Sequence, residues 1–408
     1  MTRLPLEIWR EIFSYACSDG GYTGTSLALA CKLFYNASLP VRFYSLSLFS
    51  LRQVELFLAF ARRYEGRYGG RHLKVHHLLL SFPAPPSNCR PDLSSEGSSG
   101  ESSDPAEHWI IARRLREHDK AAWDRRFLKV VPALLSLAAP HLRSLALLQS
   151  DGFALPAIRH PLPRLRELTL LVGISVMLNS DDAFDVDGGS GAPSPWSPPS
   201  TPGSSPAAEA PASATPSSPP RRARFPALER LHVVCGRHRD FVLGDTLAHL
   251  PRLAPALTHL RVSNATYTHE HCLPPFLRAA LGLPHPHSGF DSLATGAYSS
   301  WLAQAANADE CTARLPELRR LLVHSVPPPS AGTYEGPYKE YMALVEAVDA
   351  IGAACDARCD VSVQTMRSAR AKQRLWEQIV EADWVDRIEG GPGCWAGCER
   401  DEDAAARV

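Results

Sequence analysis

Apolar and polar positions alternate in short bursts along this chain. The pattern apolar-x-x-apolar-x-apolar occurs as VHHLLL (Val75, Leu78, Leu80), LRSLAL (Leu142, Leu145, Leu147) and LRELTL (Leu165, Leu168, Leu170). It returns as LERLHV (Leu228, Leu231, Val233), LTHLRV (Leu257, Leu260, Val262) and LRRLLV (Leu318, Leu321, Val323). Period-two apolar residues bounded by turn signals predict short strands. YSLSLF at 44–49 and CDVSVQ at 359–364 read as degenerate first and last members. Between them the apolar period lengthens to that of a helix. Leu51, Val54, Leu58 and Ala61 share one face, and Trp123, Phe127, Val130, Leu134 and Ala138 another, with Pro132 expected to break or restart that helix. Helices are also predicted over 338–354 and 366–384.

Leu142 and Leu165 are 23 residues apart, and the 63 residues from Leu165 to Leu228 fall to roughly 20 once the second of two biased stretches is set aside. Those stretches, about 83–105 and about 179–224, are rich in Pro, Ser and Gly and poor in large apolar side chains. Ordering them would cost more than their burial returns, so they are expected to be disordered inserts. The fold class expected is therefore α/β: a short N-terminal helical unit at 1–45, an irregular leucine-rich-repeat-like solenoid at 46–388 with its two inserts, and a tail at 389–408. An ordinary α/β domain is the alternative.

The first 45 residues need their own explanation. Pro5 suits a first helical turn, and Glu7 complements the helix dipole. Ile8, Ile12 and Tyr15 fall on one stripe, with Trp9, Phe13 and Ala16 beside it. A second helix is expected from about Thr25 with Leu27, Cys31, Phe34 and Ala37 on one face, then a short third turn from Pro40. So small a unit cannot bury all these faces by itself. Some must lie against the repeats or against another protein.

LPLEIWREIF followed by SLALACKLFYNASLPVRFYS resembles the F-box, over roughly residues 3–45. The matching positions are Leu4, Pro5, Glu7, Ile8, Ile12, Phe13, Leu29, Cys31, Lys32 and Phe34; where the family usually carries a Trp, this chain reads Pro40-Val41-Arg42-Phe43. The box at the N-terminus of a leucine-rich-repeat chain is a common F-box arrangement, and YACSDGGYTGTSLALACK and the terminal DWVDRIEGGPGCW are similar to an expanded fungal set of such proteins. The resemblance implies a substrate-recognition adaptor of a cullin–RING ubiquitin ligase of the SCF type. The box would bind the ligase's adaptor subunit through Leu4, Pro5, Ile8, Ile12, Cys31 and Phe34, with Trp9 or Phe13 packing inward. The repeats would hold a substrate protein, and no chemistry would occur on this chain. The alternative is a repeat scaffold outside any ligase, its N-terminal helices serving only as a cap. An adaptor should leave Ile8 and Ile12 exposed; a cap should bury them.

In each repeat the residues between the leucines should form an open face. Arg230, His232, His259, Arg261 and Arg320, with His324 just beyond, make that face basic in the later repeats, opposed by Glu167. This predicts an acidic or phosphorylated substrate.

Lys+Arg and Asp+Glu balance at 43 each, so no global basic field points to nucleic acid. Arg3, Glu7, Arg10 and Glu11 interrupt any signal-type apolar core, and no apolar run is long enough to span a membrane. Ten scattered cysteines form no disulfide framework and favour a reducing compartment, cytosol or nucleus. No cofactor or metal is expected. Cys355/Cys359 with Cys394/Cys398, and His269, His271, Cys272, His285 and His287, are weak zinc patterns. DDAFDVDGG lacks both end ligands of a calcium loop. Six Ser/Thr-Pro pairs (Ser194, Ser197, Thr201, Ser205, Thr215, Ser218) are candidate phosphorylation sites.

Overall fold

The computed structural model describes residues 4–67, 73–82, 105–149, 158, 160–171, 223–235, 250–265, 273–283, 314–325, 335–356, 361–367 and 373–395. Most of both predicted inserts, the Ser/Thr-Pro pairs, Cys359, Cys398 and the histidine cluster at 269–287 lie outside the described residues.

Within them the chain is a mixed α/β structure built on one parallel sheet. The strands are β1 (Ser45–Leu48), β2 (His77–Phe82), β3 (Ser144–Gln149), β4 (Glu167–Leu171), β5 (Arg230–Val234), β6 (His259–Ala265), β7 (Arg320–Ser325) and β8 (Ser362–Arg367). They neighbour one another in chain order from β1 to β8. Each of the six apolar-x-x-apolar-x-apolar segments supplies one of β2–β7. Register stacks Leu46, Leu78, Leu145, Leu168, Leu231, Leu260, Leu321 and Val363 in one row. A slip of one residue would carry all these side chains to the opposite face, so burial of the row fixes the register. The order never reverses, so the described sheet has no switch point of the kind where doubly wound folds place small ligands.

The leucine rows pack against helices that connect successive strands: α4 (Leu51–Arg67), α5 (Pro105–Ala138), α6 (Leu250–Leu253), α7 (Leu273–Ala280) and α8 (Glu335–Asp356). Val54, Ala61, Phe127, Val131, Leu134, Phe276, Val348 and Ile351 join the leucines in one buried core. The expected break at Pro132 does not occur: α5 runs through it, although the proline ring gives the Leu128 carbonyl no N–H. The second insert also ends earlier than its composition indicated. Arg224 is buried and donates to the Ile158 carbonyl at 3.4 Å, while its own carbonyl accepts from Leu162 N–H at 2.9 Å.

Three helices precede the sheet: α1 (Leu6–Ala16), α2 (Tyr22–Ala30) and α3 (Lys32–Ser38). The single helix expected across Cys31 is two helices, because Cys31 is extended (φ −165°, ψ 167°) and its sulfur caps α3 by accepting the Phe34 N–H at 3.5 Å. A final helix, α9 (Gln373–Ile388), and a 3₁₀ turn (Gly393–Trp395) close the described chain. Met366, expected in that helix, lies in β8, and the predicted tail from 389 is folded through Trp395, which is buried.

Candidate docking surfaces

The N-terminal helices divide their large side chains between two sides. Inward, Phe13 is buried and packs with Trp9 and Phe34, ring centroids 4.9–5.5 Å apart. Outward, Leu4 just before α1 and Ile8, Ile12 and Tyr15 along it follow a three-to-four-residue spacing at 50%, 42%, 44% and 76% exposure. Pro5 and Cys31 are exposed as well, as are Tyr22, Leu29 and Leu33 from α2 and α3. Five of the six sequence-expected contact residues thus face solvent. The sixth, Phe34, is half-buried and turned into the aromatic cluster. Fully burying a residue such as Ile8 or Ile12 is worth about 1.5–3 kcal/mol, so the outward face forgoes several such contributions in the free chain.

The helical unit is fastened to the sheet at one corner. Arg42 is buried with its guanidinium 4.8 Å from the Tyr35 ring, 5.1 Å from Phe43 and 5.8 Å from Phe60. Phe43 packs edge-on against Phe57 at 5.5 Å. Gly24 lies so close to this corner that a Cβ there would sit 2.6 Å from the Arg42 carbonyl oxygen. The α1–α2 loop pairs with the open edge of β1, Ser47 N–H donating to the Gly20 carbonyl at 3.0 Å.

The sheet face opposite the connecting helices differs from expectation. It is covered, not open. Trp376, Val380 and Trp384 of α9 are buried against Leu79, Ala146, Leu148, Leu171 and Val234. Arg387 reaches Glu167 through Nε at 2.8 Å and Nη2 at 2.6 Å, and Arg230 donates to the same carboxylate at 3.1 Å. His232 is fully buried and hydrogen-bonds Ser263 Oγ at 2.9 Å. Arg261 donates to Ser263 Oγ and to the Cys394 carbonyl. His259 meets the Trp395 ring edge-on at 5.6 Å, and His324 meets Trp376 in the same way at 5.2 Å. Arg320 is buried too. The six residues expected to form an open basic strip are therefore brought onto one face as the register required, but beneath α9 and the 3₁₀ turn. The sequence carried a signal for this cover: Trp376, Val380 and Trp384 repeat every four residues, an apolar stripe that needs a partner.

Electrostatics under the cover follow burial. Desolvation holds His232 well below its usual range, helped by Arg261, and lowers His324 to about 4. It raises the Cys394 thiol to about 12, so this cysteine is an inert neutral group and not a nucleophile. The cavity left between Glu167, Arg230, His232, Asp383, Arg387 and Cys394 is about 20 Å³, room for about one water. Among the described residues no group of three or more His, Cys, Asp or Glu is placed to hold a metal ion, and no helix is long and apolar enough to cross a membrane. No protein-family model matches the chain, and no curated protein matches it.

Proposed function

We propose that this chain is a binding protein with two docking ends: a substrate-recognition adaptor of a cullin–RING ubiquitin ligase. Its N-terminal helices would bind the ligase's adaptor subunit, and its repeat body, an irregular leucine-rich-repeat-like solenoid, would hold a protein substrate. The observation that carries the reading is the outward apolar face of α1. Leu4, Ile8 and Ile12, three of the six residues that the F-box resemblance assigns to the partner, are exposed, while Phe34, another of the six, joins Trp9 and Phe13 in the internal cluster. A helix whose only task was to cap the sheet would spend Ile8 and Ile12 on the first repeat. Recognition would be of the helix-in-groove kind, with side chains four residues apart as anchors. Catalysis would belong to other subunits of the ligase.

The test is co-purification of the full-length chain with the ligase's adaptor subunit, wild type beside Ile8→Glu. A carboxylate at position 8 stays solvated in the free chain but would be buried unpaired in the complex, so capture should be lost without loss of folding. Failure of the wild-type chain to capture the adaptor subunit overturns the proposal.

A further inference from the structure

With the expected basic face covered, a row of exposed cations lies instead along the edge where the chain turns into β2, β3 and β4. At this edge each strand is preceded by one residue whose carbonyl accepts two successive N–H groups from the next strand's lead-in. Arg143 and Ser144 donate to His76 O, Arg166 and Glu167 to Arg143 O, and Glu229 and Arg230 to Arg166 O. This ladder puts His76, Arg143, Arg166 and Glu229 side by side at the strand spacing of about 4.8 Å. Lys74 and Arg164 stand two residues before His76 and Arg166, and both are exposed, as are Arg143 and Arg166. Among the described residues Lys74, Arg143 and Arg164 have no ion-pair partner. Arg166 has Glu229 at 3.9 Å with its own side chain 65% exposed. Among the described residues no carboxylate opens onto the edge before Glu229, since Glu167 points to the other side and is held by Arg230 and Arg387. The rings behind the strip are fixed, Tyr44 stacked on His76 at 4.4 Å and His76 on His141 at 6.0 Å. The concentration of positive charge is felt locally: burial, then Arg143, His77, His141 and Lys74, lower His76 to about 4, leaving it neutral at pH 7.

We propose that this edge, built from Lys74, Arg143, Arg164 and Arg166, is a docking strip for an Asp/Glu-rich segment of a protein partner. The proposal rests on the reading that the repeat body holds a protein, and it names the chemistry of what is held. Three strands give a strip roughly 10–15 Å long, which an extended peptide of about five residues spans with alternate side chains about 6.6 Å apart. That length suits a few carboxylates. A nucleic acid strand would run on past Glu229, on a chain whose Lys+Arg and Asp+Glu counts are equal at 43.

The test uses the full-length chain and a fluorescein-labelled 12-residue peptide of alternating Asp/Glu and Ser, followed by anisotropy. Binding is expected at 50 mM salt and should weaken at 300 mM, where the screening length falls to about 6 Å. Arg143→Glu/Arg166→Glu should weaken it at least about tenfold. Arg62→Glu/Arg63→Glu on the exposed side of α4 changes net charge equally and should stay within about twofold of wild type. Arg143→Gln/Arg166→Gln, which adds no new charge, should fall between. The proposal is overturned by absence of binding at 50 mM salt, by equal losses in the two charge-reversed variants, or by tighter binding of a 12-nucleotide single-stranded RNA. The Ile8→Glu experiment is independent: if adaptor capture fails while the strip binds, the ligase reading falls and the strip stands.

Discussion

Trp384→Ala tests how firmly α9 covers the sheet. Trp384 is 5% exposed and packs with Trp376 and Val380 on Leu79, Ala146, Leu148, Leu171 and Val234. Truncating a buried Trp to Ala costs about 3–5 kcal/mol. The leucine rows and connecting helices form a separate core that does not include this side chain. The loss should therefore fall on α9 docking and not on the whole fold. At 1.4 kcal/mol per decade, the open population of α9 should rise by two to three and a half decades. Hydrogen exchange followed by mass spectrometry on peptides covering 376–388 should accelerate by that factor, while peptides from β3 and β6 keep their protection. Trp384→Phe should behave differently. The Trp384 Nε1 is buried with no hydrogen-bond partner among the described residues, a feature that costs about 1–3 kcal/mol where it occurs. Phenylalanine gives up part of the ring area but removes that orphan donor, so its net effect should be under about 1.5 kcal/mol. The reasoning is refuted if α9 exchange in Trp384→Ala rises less than tenfold, or if every strand loses protection together.

The turn after α9 and the buried histidines give two further tests. Gly393 has φ +57°, and a Cβ there would lie 2.6 Å from the Asp383 carbonyl oxygen. Gly393→Ala should therefore cost more than about 1 kcal/mol and open 391–395 to limited proteolysis, whereas Gly390→Ala, with φ +100° but nothing within 4 Å, should pay only the backbone term. His77 and His324 lie near 4 and His232 well below 6.5, so each binds its proton more readily in the unfolded chain. Stability should hold above pH 6.5 and fall as pH drops from there toward 4, by up to about 1.4 kcal/mol per pH unit for fully buried His232. Denaturant titrations at pH 7 and 5 should show this, and His232→Gln should flatten the slope; an unchanged slope would contradict the assignment.

The strands were legible because their evidence is local. Leu78, Leu145, Leu168, Leu231, Leu260 and Leu321 mark the same position in six similar segments, and burial of alternate residues permits one register. Boundaries were less legible where a backbone preference met a stronger neighbour. Cys31 reads as a helical position, yet leaving the helix lets its sulfur cap α3; Pro132 reads as a break, yet Val131, Leu134 and Leu135 around it are all buried and hold the helix together. The cover on the basic face depends on something no local pattern contains. Glu167 and Arg387 are 220 residues apart in the chain, and the docking that brings them together leaves Arg230 half-buried and His232 buried. Alternation says which side chains share a face of a strand; it does not say what lies over that face. The exposed cations had a local signature all the same. Arg143 and Arg166 occupy the second position of their segments, just before pairing begins, where the backbone is still turning and the side chain escapes both layers of packing. In this sheet Arg143 and Arg166 at that position are left to solvent, while His232 and Arg261 between the leucines are buried.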